Sequence, residues 1–410
     1  MATLCPFRAL RPRPLDAGRV AAVPYDVVTT EEARGQADDN PLSFLRVSRA
    51  ELELPPGTNP YDDAVYERAA QNFRRLKKAA LVVEEQPSVY VYRLASGNHR
   101  QTGIAACFSL NEYDQDVIKK HERTRRDKED DRTRHMLALG AQTGPVFLVH
   151  RAEASVGRIA EGVMAEPPLF DFEASDGVRH TLWPVAGSTR DELIAAFANI
   201  PALYIADGHH RAASAARARN DIHDRAITRA SLRGDADYTT FLGVAFPHDQ
   251  ARILPYNRVV NDLAPLSPAD FVNAVRGRFD VVPGPATPGR RGEIAMYVER
   301  TWHTLRPRVH HGETDPIRSL DVSVLQDQLL EPILKIGDIR TDKRVDFVGG
   351  ARGTTELERL VDSGRAAVAF SLYPVSVSDL IAVSDAGGIM PPKSTWFEPK
   401  LRDGLLIHLI

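Results

Sequence analysis

The chain has 410 residues, 43% of them hydrophobic, a formal net charge of −3 at pH 7 and two cysteines. That length and apolar content support one large core or two medium ones, which excludes a disordered or fibrous chain. The acidic balance argues against a protein that coats nucleic acid, and Cys5 and Cys107 are too few for a disulfide framework or a cysteine-rich metal site and are typical of a reducing compartment, the cytoplasm.

The N-terminal ten residues lack the apolar core of a signal peptide, and no apolar run approaches the roughly 20 residues needed to span a bilayer. Nothing in the pattern targets a membrane. Residues 23–28, Val-Pro-Tyr-Asp-Val-Val, and residues 40–46, Asn-Pro-Leu-Ser-Phe-Leu-Arg, read as strand or loop pieces. Over 61–83 the spacing of Val65, Ala69, Phe73 and Leu76 predicts an amphipathic helix, ended by Gln86-Pro87. Residues 89–92 and 102–110 are β-rich and flank Ser96-Gly97-Asn98-His99, which predicts a hairpin.

Residues 119–135 carry eight Lys/Arg and five Asp/Glu. The interleaved signs suit a solvated helix face. The alternative is an arginine-rich lip, held over a cleft by the apolar residues 136–139 and the strand-like 145–149, and suited to a phosphorylated substrate.

Residues 204–212, Tyr-Ile-Ala-Asp-Gly-His-His-Arg-Ala, are the most informative stretch. An apolar run at 201–205 predicts a strand and the alanine-rich 211–219 a helix, so Gly208 falls at the bend. Glycine permits a positive φ there, and amides at a helix N-terminus present donors to a phosphate or carboxylate, to which Arg211 would add a bidentate clamp. Asp207 capping the helix, with solvated histidines, is the ordinary alternative.

Residues 241–246 and 253–260 read as strands, and a boundary near 265 divides the chain into domains 1–265 and 266–410. Ser267-Pro268-Ala269-Asp270 resembles a helix start, and 283–292 is a loop. Helix-like 322–334 and 355–362 alternate with strand-like 345–348 and 366–372, which favours an α/β or α+β fold over a helical bundle. Gly349 to Thr354 is a second glycine-rich turn, without the Lys-Ser/Thr pair of a P-loop or the spacing of a dinucleotide fingerprint. Residues 390–400, Met-Pro-Pro-Lys-Ser-Thr-Trp-Phe-Glu-Pro-Lys, either dock as a lid through Lys393 and Ser394 or seal a core through Trp396 and Phe397.

Taken in order, Pro24-Tyr25-Asp26-Val27, Asn40-Pro41, Lys120-His121-Glu122-Arg123-Thr124, Asp131-Arg132, Gly144-Pro145-Val146-Phe147, Ala206-Asp207-Gly208-His209-His210-Arg211, Leu320-Asp321-Val322 and Met390-Pro391-Pro392-Lys393-Ser394-Thr395 resemble the domain-of-unknown-function 1015 family of bacteria and archaea. Tyr256-Asn257-Arg258 departs from the His-Arg pair expected after the proline in that family. The Asp-Gly-His-His-Arg turn is also similar to the phosphate-binding turn of the ParB/sulfiredoxin-like fold, some members of which are kinases of free L-serine. The resemblance implies a ParB/sulfiredoxin-like core with a mixed α/β C-terminal part, and phosphoryl transfer to a small hydroxylated metabolite, free L-serine first.

In that reading the amides around Gly208 and His209, with Arg211, hold the donor's phosphates, and His209 or His210 offsets developing charge. Glu122 or Asp207 orients or deprotonates the attacking hydroxyl, while Arg123, Arg126, Arg132, Lys393 and Ser394 bind phosphate or the acceptor. Magnesium is expected with a phosphoryl donor, although no carboxylate pattern announces its site; ATP, ADP and pyrophosphate all suit the turn. A nucleotide-binding regulator or ParB-like DNA-associated protein is the first alternative, counted against by the absence of a convincing helix-turn-helix. A metal-dependent hydrolase using His121, His209, His210 and Asp207 is the second, counted against by the lack of HExxH or comparable spacing. A non-catalytic interaction protein is the third.

Overall fold

Continuous apolar runs, buried on both faces, form the centre of the sheet of the first unit. In the computed structural model, which describes residues 1–229, 237–309 and 315–410, Val-Phe-Leu-Val-His at 146–150 is buried at every position. The protein is mixed α/β and divides into two compact units, Met1–Ala251 with Pro399–Ile410, and Arg252–Glu398.

The nine-stranded sheet of the first unit comprises β1 (Leu4–Cys5), β2 (Val89–Ser96), β3 (His99–Ser109), β4 (Ile118–Lys119), β5 (Val146–His150), β6 (Phe170–Glu173), β7 (Arg179–Val185), β8 (Leu203–Asp207) and β9 (Thr240–Pro247). Their order is β4-β8-β5-β9-β3-β2-β7-β6, with β1 beside β3. β2 and β3 form the predicted hairpin around Gly97, at φ +56°. β8 lies parallel to β4 and antiparallel to β5, so the end of β8 meets the start of β5. Phe108, Phe197 and Phe241 are fully buried in the core against these strands, each contributing about 1.5–3 kcal/mol of transfer free energy.

Around the sheet lie α1 (Asp63–Ala80), α2 (Arg126–Leu139), α3 (Ala154–Val163), α4 (Gly187–Phe197) and α5 (His209–Arg229). The helix expected over 61–83 stops at Ala80; Leu81–Val83 is a strand paired with Leu10–Pro12, because the β-branched residues there suit a ladder better than a helix end. In the charge block the helix begins only at Arg126. Small residues on α5, Ala212, Ala215 and Ala218, are buried and let α2 approach, and Ser214 Oγ donates to the Glu129 carbonyl at 3.2 Å.

Residues Pro399–Ile410 are stitched into the first unit. Asp403 exchanges backbone hydrogen bonds with Ala22, Ile407 does so with Leu10, and His408–Leu409 pairs with Ala141–Gln142. Gly404, at φ +83°, runs against Phe44, whose ring would meet a Cβ at 2.5 Å.

The second unit carries an antiparallel six-stranded sheet of β10 (Tyr256–Val260), β11 (Phe279–Pro283), β12 (Ile294–Val298), β13 (Thr301–Pro307), β14 (Val345–Gly349) and β15 (Val368–Leu372), in the order β11-β13-β12-β15-β10-β14. Its helices include α6 (Pro268–Arg276), capped by Ser267 Oγ on the Asp270 amide at 3.2 Å, α7 (Gly353–Asp362) and α8 (Val377–Asp385). The strand expected over 253–260 breaks at Pro255, which has no amide hydrogen for the ladder: Ile253–Leu254 pairs with Trp396–Phe397 instead. The glycine-rich turn after β14 owes its composition to packing, since a Cβ on Gly349 would lie 2.6 Å from the Trp396 ring and one on Gly350 2.5 Å from the Pro255 carbonyl oxygen.

Candidate active site

The Asp-Gly-His-His-Arg turn lies where β8 runs into α5. The register with β5 slips between Ile205 and Asp207, a bulge of the kind that re-aims a side chain at a strand end. Gly208 has φ +94°, and a Cβ there would sit 3.4 Å from Val146 Cα. Only glycine adopts this backbone without strain. Gly208→Ala is therefore expected to cost about 1–3 kcal/mol, read as a lower urea midpoint with an unchanged slope; an unaltered midpoint would show that the turn relaxes freely.

Asp207 projects from the strand end, and Lys400 Nζ lies 2.9 Å from its Oδ2. Burial pushes the Asp207 carboxyl up, but the charges of Lys400 and Arg211 outweigh it and hold the group well below the usual carboxylate range. Arg211 is largely buried, at 11% exposure; its Nη1 donates to the Pro145 carbonyl at 2.7 Å and its Nη2 faces Asp26 Oδ1 at 3.7 Å. Asp403, 3% exposed, borders the same space, and burial pushes its carboxyl up to about 7 although Arg211 pulls it down. Arg132 stacks over the Tyr25 ring at 4.1 Å and pairs with Asp131 at 2.7 Å. Arg132, Tyr25, Arg211 and Asp403 border a cavity of about 40 Å³, large enough for water.

The two adjacent histidines diverge, as neighbours on a helix must. His209 is buried and its Nε2 accepts from the His121 amide at 3.5 Å, while His210 Nε2 accepts from the Arg125 amide at 3.1 Å. Together they clasp both ends of the loop between β4 and α2. The His121 and His209 rings meet edge to face at 4.5 Å, and burial pushes both imidazoles down, His121 to about 4. Half-buried Glu122 lies beside them, with a carboxylate oxygen within 4.8 Å of a ring nitrogen of each.

Glu122, His209, His210, Asp207 and Gly208 thus share one locality, joined by Arg211. Arg123 and Arg126 are exposed at the near end of the charge block and make no ion pair among the described residues, whereas Arg132 is committed to Asp131 and Tyr25. Lys393 and Ser394 belong to the second unit: Lys393 sits at φ +58° with Nζ 5.6 Å from the Tyr256 ring centroid, and Ser394 Oγ donates to the Pro391 carbonyl at 2.6 Å. Asn257 Oδ1 accepts from the Leu372 amide at 3.1 Å, a structural bond within the sheet. Lys400 and Asp403 were not singled out by sequence reasoning. Lys400 meets Asp207 across 193 residues of chain, and no local pattern announces such a contact.

A strand-glycine-helix turn with a paired aspartate, on a mixed α/β unit, defines an α/β protein with a candidate anion site. The chain belongs to the family described as Protein of unknown function (DUF1015), whose profile matches residues 4–323. No curated protein matches it. Among solved structures it is similar to a free serine kinase in complex with AMP, at 12% identity over 74% of this chain and 92% of that one, with a TM-score of 0.39. A conserved hypothetical protein from Pyrococcus furiosus is similar at 11% identity, 74% and 95% coverage and a TM-score of 0.37. SbnI with a C-terminal truncation, from Staphylococcus aureus, is similar at 12% identity, 73% and 85% coverage and a TM-score of 0.38. Among the described residues no helix is long and apolar enough to cross a membrane.

Proposed function

We propose that the protein is a small-molecule kinase with a ParB/sulfiredoxin-like core in its first unit, acting on a hydroxylated metabolite, with free L-serine the acceptor to test first. The observation that supports this most is the turn itself: Gly208 at φ +94° opens a long helix, and the N-terminal end of a helix carries partial positive charge and favours a phosphate. Exposed Arg123 and Arg126 add positive charge on the neighbouring loop and helix start.

The two candidate carboxylates divide the work by environment. Asp207, ion-paired with Lys400 and held in its charged form, is a weak proton acceptor and acts as an electrostatic and positioning group. Glu122 is the carboxylate that accepts the proton of the attacking hydroxyl. His209 and His210 hold the 121–125 loop, and Glu122 with it, against the helix N-terminus. Magnesium would accompany the donor phosphates.

The test is incubation of the purified protein and magnesium with L-serine and, separately, ATP, ADP or pyrophosphate, with phosphoserine read by mass spectrometry. Product from one donor, lost in Glu122→Gln, is the expected result. No product from folded protein with any of the three donors would remove serine phosphorylation.

A further inference from the structure

The loop after β4 and the first residue of α5 bring together a donor set whose two imidazoles take no chemical part in the phosphoryl-transfer reading. One ring nitrogen each of His121 and His209 and a carboxylate oxygen of Glu122 all lie within 4.8 Å of one another. The imidazoles are 2% and 5% exposed, and burial keeps both neutral near pH 7, the form that donates a lone pair to a metal; at His209 the ion would take the place of the His121 amide, which lies 3.5 Å from Nε2. His121 also hydrogen-bonds the Ile205 carbonyl, the kind of outer contact that orients a metal-ligating imidazole and fixes its tautomer. Its Nδ1 is buried with no hydrogen-bond partner among the described residues. A buried ring nitrogen left without a partner is uncommon, and here it stands beside a second imidazole and a carboxylate.

We propose that His121, Glu122 and His209 bind a divalent first-row transition ion of zinc-like preference. Two imidazoles and one carboxylate suit such an ion, whereas magnesium prefers oxygen ligands throughout. Three protein ligands leave one position of a tetrahedral ion open to water or to an anionic oxygen. Coordination bonds of roughly 2.0–2.1 Å place ligand atoms about 3.3 Å apart, inside the 4.8 Å within which the set lies, so the ligands draw in around the ion. Glu122, half-buried on the loop between β4 and α2, is the ligand that lies outside regular structure. The charge of Asp207 acts on both imidazoles and would offset the cation. With one Glu122 oxygen on the ion, the other remains for a hydrogen bond, so the site stands with or without the proposed reaction. His121-Glu122 followed 87 positions later by His209 matches no familiar metal spacing, because the sheet rather than a single helix joins them.

The experiment uses the full chain, tag removed and stripped with a chelator, titrated with Co2+ in the absence of serine and any phosphoryl donor. Expected are visible absorption bands of nitrogen- and oxygen-ligated Co2+ that saturate at one equivalent, their displacement by one equivalent of Zn2+, and binding weakened more than about tenfold in Glu122→Gln. His121→Ala should abolish the bands; if that variant fails to fold, the near-isosteric Glu122→Gln decides. Folded wild-type protein that gives no bands in excess Co2+, or Glu122→Gln that binds as the wild type does, would overturn the proposal. Because no substrate is present, failure here is distinct from failure to make phosphoserine.

Discussion

Arg211→Met is expected to lower the free energy of unfolding by about 3–5 kcal/mol, because it strips the counter-charge from a buried carboxylate. Arg211 serves the Pro145 carbonyl and faces Asp26, and its charge is the largest influence drawing Asp403 toward ionisation against the pull of burial. Asp403 has an Oδ1 with no hydrogen-bond partner among the described residues. Without Arg211 it must remain protonated or rely on the weaker pull of Arg132 and Arg402 alone. Asp403→Asn in the same background should restore part of the loss, as measured by urea unfolding at pH 7; a double variant as unstable as Arg211→Met would show that the two side chains are not coupled. The same pair dictates a pH dependence. In the folded state Asp403 titrates near 7, against 3.8 for the ordinary group. Between those values the native state holds a proton that the unfolded chain has released, so stability falls as pH rises from about 4 to 7. The difference corresponds to about 4 kcal/mol. Asp403→Asn should flatten that fall, and a wild type whose stability tracked the variant across the window would refute it.

Glu122→Gln should reduce kcat for the proposed phosphoryl transfer by about 10²–10⁴-fold, the usual contribution of a positioned base. Its KM for the acceptor should change far less. Asp207→Asn should behave differently: it leaves the Lys400 ammonium without its carboxylate, so it should lower stability and raise KM for the donor more than it lowers kcat. Steady-state kinetics on the two variants separate the roles. Equal losses of kcat in both, with unchanged KM, would mean that Asp207 shares the proton-accepting role.

The strand-turn-helix around Gly208 was legible because everything that makes it lies in one local stretch, residues 201–219: an apolar run, a glycine at the bend and an alanine-rich helix. The hairpin at Gly97 and the cap at Ser267 were legible for the same reason. What the residues concealed was partnership over distance. Two adjacent histidines favour a charge-bearing role over a solvated one, and only the return of the 121–125 loop onto α5 shows them accepting from two backbone amides. Lys400 carries no mark that distinguishes it from Lys393, yet it is Lys400 that lies on Asp207. The helix expected to run to 83 failed at its last three residues, where pairing with Leu10–Pro12 overrode helical periodicity.

The threading of Pro399–Ile410 back into the first unit has a consequence for biosynthesis. A ribosome delivers all of Arg252–Glu398 before those residues, so the second unit can fold as an insertion while the first is still missing the strand that pairs with Ala141–Gln142, the backbone partner of Ala22, and the side chains that face Asp207 and Arg211. The candidate site is therefore completed last. A chain interrupted anywhere before Lys400 would present Asp207 without its ammonium partner.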